Sequence, residues 1–327
     1  MTMPPWIARV VLMGLMVLIA LSLVPTFALA QERPIRIVVG LPPGGTVDIV
    51  ARLVADKLRD SLGQPVIVEN RPGAQTRIAV QAVKAASPDG LTVLVTPGAV
   101  MSIYPHMYKQ LGYDAFTDFA PVAPLVTWGF GLAVAGDAPY KTIAQFVDYV
   151  RANPGTASFA SPSAGSTQHF LGLKLATAIG VPLEHIGFKG GKEAVTAVMG
   201  GQVPATIQNL GEVVPLHRSG RLRVLATFGT ARAMSLPEVA TLQELGYPGL
   251  EASGWAALYA PAKTPPAVIE RLNRAVVLAL GDPAVRAKLI EAGVAPSIGS
   301  PLDLDRITRQ DFAHWREAVR ASGYTAD

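Results

Sequence analysis

Residues 35–48, IRIVVGLPPGGTVD, constrain the fold more than any other part of the chain. The first residues are apolar and mostly β-branched, as in a buried strand, and two prolines and two glycines then break the chain. From Thr46, a good N-cap residue, apolar residues recur at helical spacing. A strand that turns directly into a helix exposes main-chain N–H groups at the positive end of the helix dipole. We therefore predict an anion site built from main chain at this turn.

Strands and helices alternate along the rest of the chain. Strands are predicted near residues 65–69, 91–96, 128–135, 156–160, 183–188, 203–207, 221–227 and 255–259. Helices are predicted near residues 76–86, 142–152, 167–179, 194–199, 265–280, 283–292 and 303–321. This order predicts an α/β protein with a mainly parallel sheet. Ligands of such sheets bind beyond the carboxyl ends of the strands, so the turns at 42–46, 70–76 and 96–99 should converge, with Thr96 and Gly98 at the site.

A second strand–turn–helix segment lies at residues 161–167, SPSAGST. Its hydroxyl groups and the helix that follows provide donors for a second anionic group. We expect this turn to face the first across a cleft between two α/β domains, joined by crossing strands near residues 126–133 and 252–259. The predicted boundaries are residues 31–127 plus 256–327 for domain 1, and residues 128–255 for domain 2. Two facing helix ends suit a ligand with two separated carboxylates.

Residues 1–30 are predicted to be a secretory signal. Arg9 is the only charged residue before Glu32, a long apolar run follows it, and Ala28-Leu29-Ala30 has the small-x-small cleavage pattern. We place cleavage after Ala30 and the mature protein in the periplasm; a retained membrane anchor is the alternative. The net charge of +4, with no basic runs, argues against a nucleic-acid partner, and the absence of Cys excludes thiol catalysis.

The candidate side chains each have more than one interpretation. Asp48 stabilises the helix dipole, bonds a ligand hydroxyl or amine, or fixes the glycine turn. His169 is interpreted first as a helix-packing residue, with a ligand contact as the alternative. Ser163 lies in a partial GxSxG elbow, because Gly165 follows it but Ser161 replaces the first glycine, so a serine hydrolase is an alternative that we do not favour. The spacing of His and acidic residues predicts no metal site, and no cofactor is predicted.

Several stretches of the chain, in order, resemble the Bug family, the periplasmic solute-binding proteins of tripartite tricarboxylate transporters. They are RPIRIVVGLPPGGTVDIVAR (33–52), LGQPVIVENRPGA (62–74), ASPDGLTVLV (86–95), LGYDAFTDFAPVAPL (111–125), SAGSTQHFLG (163–172), FKGGKEAVTAVMGGQV (188–203) and WAALYAPAKTPPAVIERLN (255–273). The resemblance implies a periplasmic-binding-protein-like fold of type II, with two α/β domains around a central ligand cleft. It also implies a small organic acid as ligand, held largely by main-chain amides and waters.

The resemblance places the ligand contacts in the two turns, by position. They are Pro43, Gly44, Gly45, Thr46 and Asp48 in the first turn, and Ser161, Gly165, Ser166, Thr167 and His169 in the second. Gly190, in the glycine turn after the predicted strand at 183–188, is added to them.

The chain departs from the family pattern after residue 74, where glycines are usual and Gln75, Thr76 and Arg77 stand here. These side chains either shrink the pocket or supply an amide and a guanidinium to a larger or more polar acid, so Gln75 joins the candidates. After GGQV, Pro204 replaces the usual aspartate. The departures leave the particular acid open.

The sequence therefore predicts an exported, monomeric binding protein, not an enzyme, that captures a small mono-, di- or tricarboxylate. We expect it to deliver this acid to the membrane permease subunits of a tripartite tricarboxylate transporter. An orphan sensor that presents its solute to a sensor kinase is the alternative.

Overall fold

The computed structural model describes residues 33–326, so the predicted signal sequence and its cleavage site lie outside the described residues. Strand β1 (Ile35–Val39) is buried and pairs in parallel with β2 (Val66–Asn70) and β3 (Thr92–Pro97). Helix α1 (Thr46–Leu62) begins directly after the glycine turn, as predicted. Its N-cap is Gly45 rather than Thr46, which is the first helical residue.

Strand β4 (Phe119–Ala135) connects two portions of one large sheet. Residues 119–129 pair antiparallel with β9 (Ser253–Pro261), and residues 130–135 pair antiparallel with strands of the second portion. The sequence predicted only residues 128–135 as a strand, because Pro121 and Pro124 break the pattern; the structure accommodates both at shifts in the register. The predicted domain boundaries at residues 127 and 256 fall within β4 and β9 and remain a prediction.

The second portion of the sheet contains β5 (Ser158–Ser161), β6 (Glu184–Gly187), β7 (Thr206–Asn209) and β8 (Leu222–Thr227). β5 pairs in parallel with β6 and β7, whereas β7 and β8 pair antiparallel with β4. The sheet is thus parallel towards both ends and antiparallel at its centre, rather than mainly parallel. A short strand, β10 (Ala295–Pro296), also pairs with β4.

Helices cover the sheet. They are α2 (Arg77–Lys84), α3 (Gly98–Ser102), α4 (Tyr104–Met107), α5 (Ile143–Ala152), α6 (Thr167–Ile179), α7 (Gly191–Met199), α8 (Leu210–Arg218), α9 (Pro266–Gly281), α10 (Pro283–Glu291) and α11 (Pro301–Ser322). The sequence missed α3 and α4, which are too short to show a period, and α8, which contains Pro215. Within residues 33–326, none of the helices is both long and apolar enough to cross a membrane.

One apolar cluster joins the two portions of the sheet. It contains Leu94 of β3 and Tyr259 of β9 together with Phe159 of β5, and Trp315 of α11 packs into it. Separate clusters lie under α1 and α9 in the first portion and under α7 and α8 in the second. The two portions therefore share buried apolar surface in addition to the strands that connect them.

Candidate functional site

A cavity of about 700 Å³ lies where the two portions of the sheet meet. Five loops form most of its wall: residues 41–46 after β1, 75–76 before α2, 97–100 after β3, 162–168 before and into α6, and 188–193 before and into α7. The volume is within the range of small-molecule sites, roughly 300–1,000 Å³. Turns predicted to converge from separate parts of the sequence thus meet at one cavity.

Most of the residues predicted for the site line this cavity. They are Pro43, Gly44, Gly45, Thr46, Gln75, Gly98, Ser166, Thr167 and Gly190. The others do not line the cavity but bond to or pack against the turns that do. They are Asp48, Thr96, Ser161, Gly165 and His169.

Asp48 fixes the first turn. Its Oδ2 accepts hydrogen bonds from the main-chain N–H of Gly44 at 2.9 Å and from Arg52 Nε at 3.0 Å, and its Oδ1 accepts one from Asn70 Nδ2 at 2.8 Å. Burial acts to raise the pKa of Asp48, but the hydrogen bonds from Arg52, Gly44 and Asn70 outweigh it and hold the pKa below its usual value. Of the three roles considered, the structure favours the support of the glycine turn.

His169 has the equivalent place in the second turn. The main-chain N–H of Gly165 donates to His169 Nδ1 at 3.1 Å, as Gly44 donates to the side chain four residues later in the first turn. Both glycines adopt left-handed backbone conformations, with φ of 83° at Gly44 and 76° at Gly165. The two turns are therefore built alike, and in both the N–H of the left-handed glycine is already engaged by a side chain.

A buried imidazole pair lies behind the second turn. The rings of His169 and His185 stack with centroids 3.8 Å apart, and Tyr324 meets His169 edge-on. Burial lowers the pKa of His169 to about 3, with a further contribution from His185, and burial lowers that of His185 to about 4. Ser161 Oγ, fully buried, lies 2.7 Å from His185 Nε2. The packing interpretation of His169 agrees with this arrangement.

Three helices begin at the cavity. Their N-cap residues, Gly45 for α1, Ser166 for α6 and Gly190 for α7, all line it. The first N–H groups of a helix have no partner inside the helix, and the positive ends of the three dipoles meet here. The N–H of His169 is bonded to Ser166 Oγ at 3.2 Å, so the donors that face a ligand at α6 are those of Thr167 and Gln168. The arrangement can bind an anion with more than one negative group.

The loop before α2, which departs from the pattern that the resemblance implies, contributes Gln75 and Thr76 to the wall of the cavity. Gln75 lines it and donates from Nε2 to the carbonyl of Ala164 at 3.3 Å, while its Oε1 accepts from the Tyr108 hydroxyl. Arg77, whose guanidinium was considered as a ligand contact, lies over the Tyr108 ring at 4.1 Å and does not line the cavity. The substitution therefore adds an amide to the site but not a guanidinium.

Aromatic side chains that the sequence did not predict form part of the cavity wall. Tyr104, Trp128, Phe130, Phe188, Trp255 and Trp315 line the cavity, and they come from distant parts of the chain. The sequence also did not predict Asp311, a cavity residue whose carboxylate accepts from Trp255 Nε1 at 3.0 Å, Trp315 Nε1 at 2.9 Å and Ser102 Oγ at 2.6 Å. Burial raises the pKa of Asp311, and the three donors oppose part of that rise.

Charged side chains stand around the turn before α7. Lys189 and Lys192 are exposed at the cavity wall, where their field attracts anions. Glu193 lies beside them and accepts from the main-chain N–H of Lys189 at 3.2 Å. Glu212, deeper in the wall, has a pKa raised by burial, and its hydrogen bond from Asn209 and the charge of Lys192 act against that rise.

The candidate serine of the partial GxSxG elbow lies at the cavity, at Ser163. Within the described residues, Ser163 has no hydrogen bond to a histidine side chain, whereas Ser161, which bonds to the His185 ring, is fully buried. Over the same residues, no group of three His, Asp or Glu side chains could hold a metal ion. The cavity offers main-chain donors, polar and charged side chains, and apolar walls as its means of holding a ligand.

Two α/β portions around a cavity lined by helix N-termini define a solute-binding protein of the periplasmic-binding-protein type. The sequence model of the tripartite tricarboxylate transporter family receptor matches residues 50–324, and the chain belongs to this family. The chain is 34% identical to Protein BugT of Bordetella pertussis over 292 residues, covering 89% of this chain and 90% of that protein. The resemblance to the Bug family is confirmed.

Solved structures agree with this assignment. The fold matches MatC from Rhodopseudomonas palustris with bound malate at a TM-score of 0.80 and 29% identity, covering 88% of this chain and 99% of that one. It matches R. palustris Rpa4515 with adipate at a TM-score of 0.82 and 31% identity, covering 92% and 99% of the two chains. The predicted fold class is therefore confirmed.

Proposed function

We propose that the protein binds a small organic acid in the cavity, with one carboxylate on the first main-chain N–H groups of α1. A second polar group of the acid meets the N-terminus of α6. The convergence of these two helix N-termini on one cavity carries the proposal. Charge-assisted bonds to main-chain N–H contribute about 1.5–3 kcal/mol each, so a few of them supply micromolar binding after the cost of association.

The related proteins support this class of ligand. MatC is solved with bound malate and Rpa4515 with adipate, both of them organic acids, and each matches this chain along almost its full length. The N-termini of α1, α6 and α7 at the cavity favour an anion over a cation or a neutral solute, and Lys189 and Lys192 add positive charge at the wall, where Glu193 lies beside them. The proposed role is capture and release of the acid without chemical change.

Calorimetric titration with a panel of mono-, di- and tricarboxylates tests the proposal. We expect at least one acid to bind, and Gly45→Val to abolish that binding while the protein stays folded. A Cβ at Gly45 would have only the Pro42 carbonyl oxygen near it, at 3.9 Å, so a larger side chain has room to project into the site. Gly155→Val, at an equally open but distant position, is the matched control. Failure of every acid to bind would refute the proposal.

We further propose that the protein works in the periplasm after cleavage behind Ala30, as a monomer, and delivers its acid to the permease subunits of a tripartite tricarboxylate transporter. N-terminal sequencing of the exported protein should begin at Gln31. Cross-linking in membranes should capture permease subunits when the acid is present. Capture of a sensor kinase in their place would support the sensor alternative instead.

A further inference from the structure

We propose that the acid bound in the cavity carries an apolar ring, which packs between Trp128 and Phe188. The inference rests on the proposed function, because it concerns the body of the same ligand whose carboxylate meets α1. It follows from the aromatic residues that line the cavity, because a carboxylate bound at the helix N-termini gives them no role.

The wall of the cavity is largely apolar away from the helix ends. Six aromatic side chains line it, and two of them, Trp128 and Phe188, are partly exposed, whereas the others are buried in the wall. Water in contact with such a surface is unfavourable, and a ligand that covers the surface gains free energy in proportion to the apolar area removed from water. A compact acid that contacts only the helix N-termini would leave Trp128 and Phe188 in contact with water.

Glycines make room for two of the indole rings. A Cβ at Gly98 would stand 2.1 Å from Trp255 Cε2, and a Cβ at Gly254 would stand 2.1 Å from Trp128 Nε1. Gly98 thus lines the cavity beside an indole, and any larger residue at either position would displace a ring. The backbone is therefore shaped to hold these rings against the cavity.

Hydrogen bonds fix two of the indole rings of the wall. Asp311 accepts from the indole N–H groups of both Trp255 and Trp315, and Ser102 shares the same carboxylate. Because both indole N–H groups are occupied there, these two residues have no further donor for a ligand and contribute apolar surface. A rigid aromatic wall costs little ordering entropy on binding and suits a flat ring, which prefers offset or edge-on contacts with other rings.

The volume of the cavity also favours a ligand with a ring. The cavity of about 700 Å³ exceeds what a four-carbon diacid occupies, and the polar groups of its wall lie at the turns before α1, α6 and α7 and at Gln75, Asn209, Glu212 and Asp311. An acid with its carboxylates at these turns and a ring between Trp128 and Phe188 uses both kinds of surface. Electrostatic attraction then selects acids, and the aromatic wall selects among them.

The test compares acids that share the same carboxylates. Succinate, phenylsuccinate and adipate are titrated calorimetrically into the purified protein, since phenylsuccinate is succinate with a ring added and adipate is an open chain of greater length. We expect phenylsuccinate to bind at least about tenfold more tightly than succinate, and more tightly than adipate.

Two matched variants locate the ring. Phe188→Leu removes an aromatic side chain from the wall, and Phe312→Leu makes the same change at a half-buried residue that packs on His106 and Phe116 outside the cavity. We expect Phe188→Leu to reduce the preference for phenylsuccinate over succinate by about threefold or more, and Phe312→Leu to leave that preference unchanged.

The outcomes separate the inference from the proposed function. If succinate bound as tightly as phenylsuccinate or more tightly, or if adipate bound more tightly than phenylsuccinate, the inference of a ring would be wrong. The proposed binding of organic acids would still stand. An equal effect of the two phenylalanine variants would overturn the assigned position of the ring. Absence of binding by all three acids would overturn the proposed function, and the inference with it.

Discussion

The side-chain amide of Gln75 donates a hydrogen bond to the main-chain carbonyl of Ala164, 3.3 Å away and 89 positions along the chain. The bond ties the loop before α2 to the turn before α6, across one edge of the cavity. The Tyr108 hydroxyl donates to the other end of the same amide, and Arg77 covers the Tyr108 ring. The contact between the two turns therefore depends on the Gln75 side chain.

Replacing Gln75 tests how much its two hydrogen bonds contribute to the free energy of unfolding. Gln75→Ala removes both hydrogen bonds and keeps a left-handed residue with φ of 52°, so we expect the free energy of unfolding to fall by about 1 kcal/mol. Gln75→Gly removes the same bonds but relieves the backbone, and should be less destabilising than the alanine variant. Urea denaturation measures both. Equal stability of wild type and Gln75→Ala would show that the tie contributes nothing.

The first turn should depend on Asp48. Asp48→Ala leaves the N–H of Gly44 and the side chains of Arg52 and Asn70 without their acceptor, and we expect a loss of about 2–3 kcal/mol in unfolding free energy. Asp56→Ala is the control on the same helix, because its pair with Arg59 is exposed and should be worth less than about 1 kcal/mol. Similar losses for the two variants in urea denaturation would contradict the supporting role of Asp48.

The two glycines of the first turn should respond differently to a methyl group. Gly44 has φ of 83° and no neighbouring atom within 4 Å of a Cβ, so Gly44→Ala should cost about 1–2 kcal/mol through backbone strain alone. Gly45 has φ of −82°, which any residue adopts, so Gly45→Ala should leave stability nearly unchanged. Thermal denaturation of the pair checks this. A Gly44→Ala protein as stable as wild type would show that the turn relaxes.

Low pH should destabilise the protein through its two buried imidazoles, His169 and His185. The pKa values of His169 and His185, about 3 and about 4, lie below the usual 6.5, so the unfolded chain takes up protons first. Their contribution to stability is present above pH 6.5 and is lost as the pH falls from there through about 4 for His185 and about 3 for His169.

A variant isolates this contribution from that of other groups. We expect His185→Gln to lose less stability than wild type between about pH 7 and about pH 5, measured by urea denaturation. His217→Gln, a change at a histidine in another part of the second portion, serves as the control. The same pH slope in wild type and His185→Gln would contradict the assignment.

The parts of the site that lie within one short stretch of sequence could be predicted. Residues that come together from distant positions in the sequence could not. Residues 35–48 read as strand, glycine turn and helix because each signal lies within a few positions of the next, and the structure has β1, the turn and α1 there. The same holds for the turn at 161–167 and the helix after it, since α6 begins at Thr167 as predicted. Asp311 and the aromatic residues of the wall carry no common spacing, because only the folded sheet brings them together.

Some local misses also have physical causes. Thr46 resembles an N-cap, yet the helix begins one residue earlier, with Gly45 as its cap and Asp48 engaging Gly44. Pro121 and Pro124 concealed the start of β4, since prolines in a central strand are unusual and are tolerated here only where the register shifts.

The most direct test of the account is a crystal structure of the protein with an acid shown to bind by calorimetry. We predict a carboxylate oxygen at about 2.7–3.2 Å from the main-chain nitrogen of Thr46 or Val47, and a second polar group of the acid at the same range from Thr167 or Gln168. A bound acid whose carboxylates meet only side chains or solvent, with the first N–H groups of α1 and α6 facing elsewhere, would contradict the central claim.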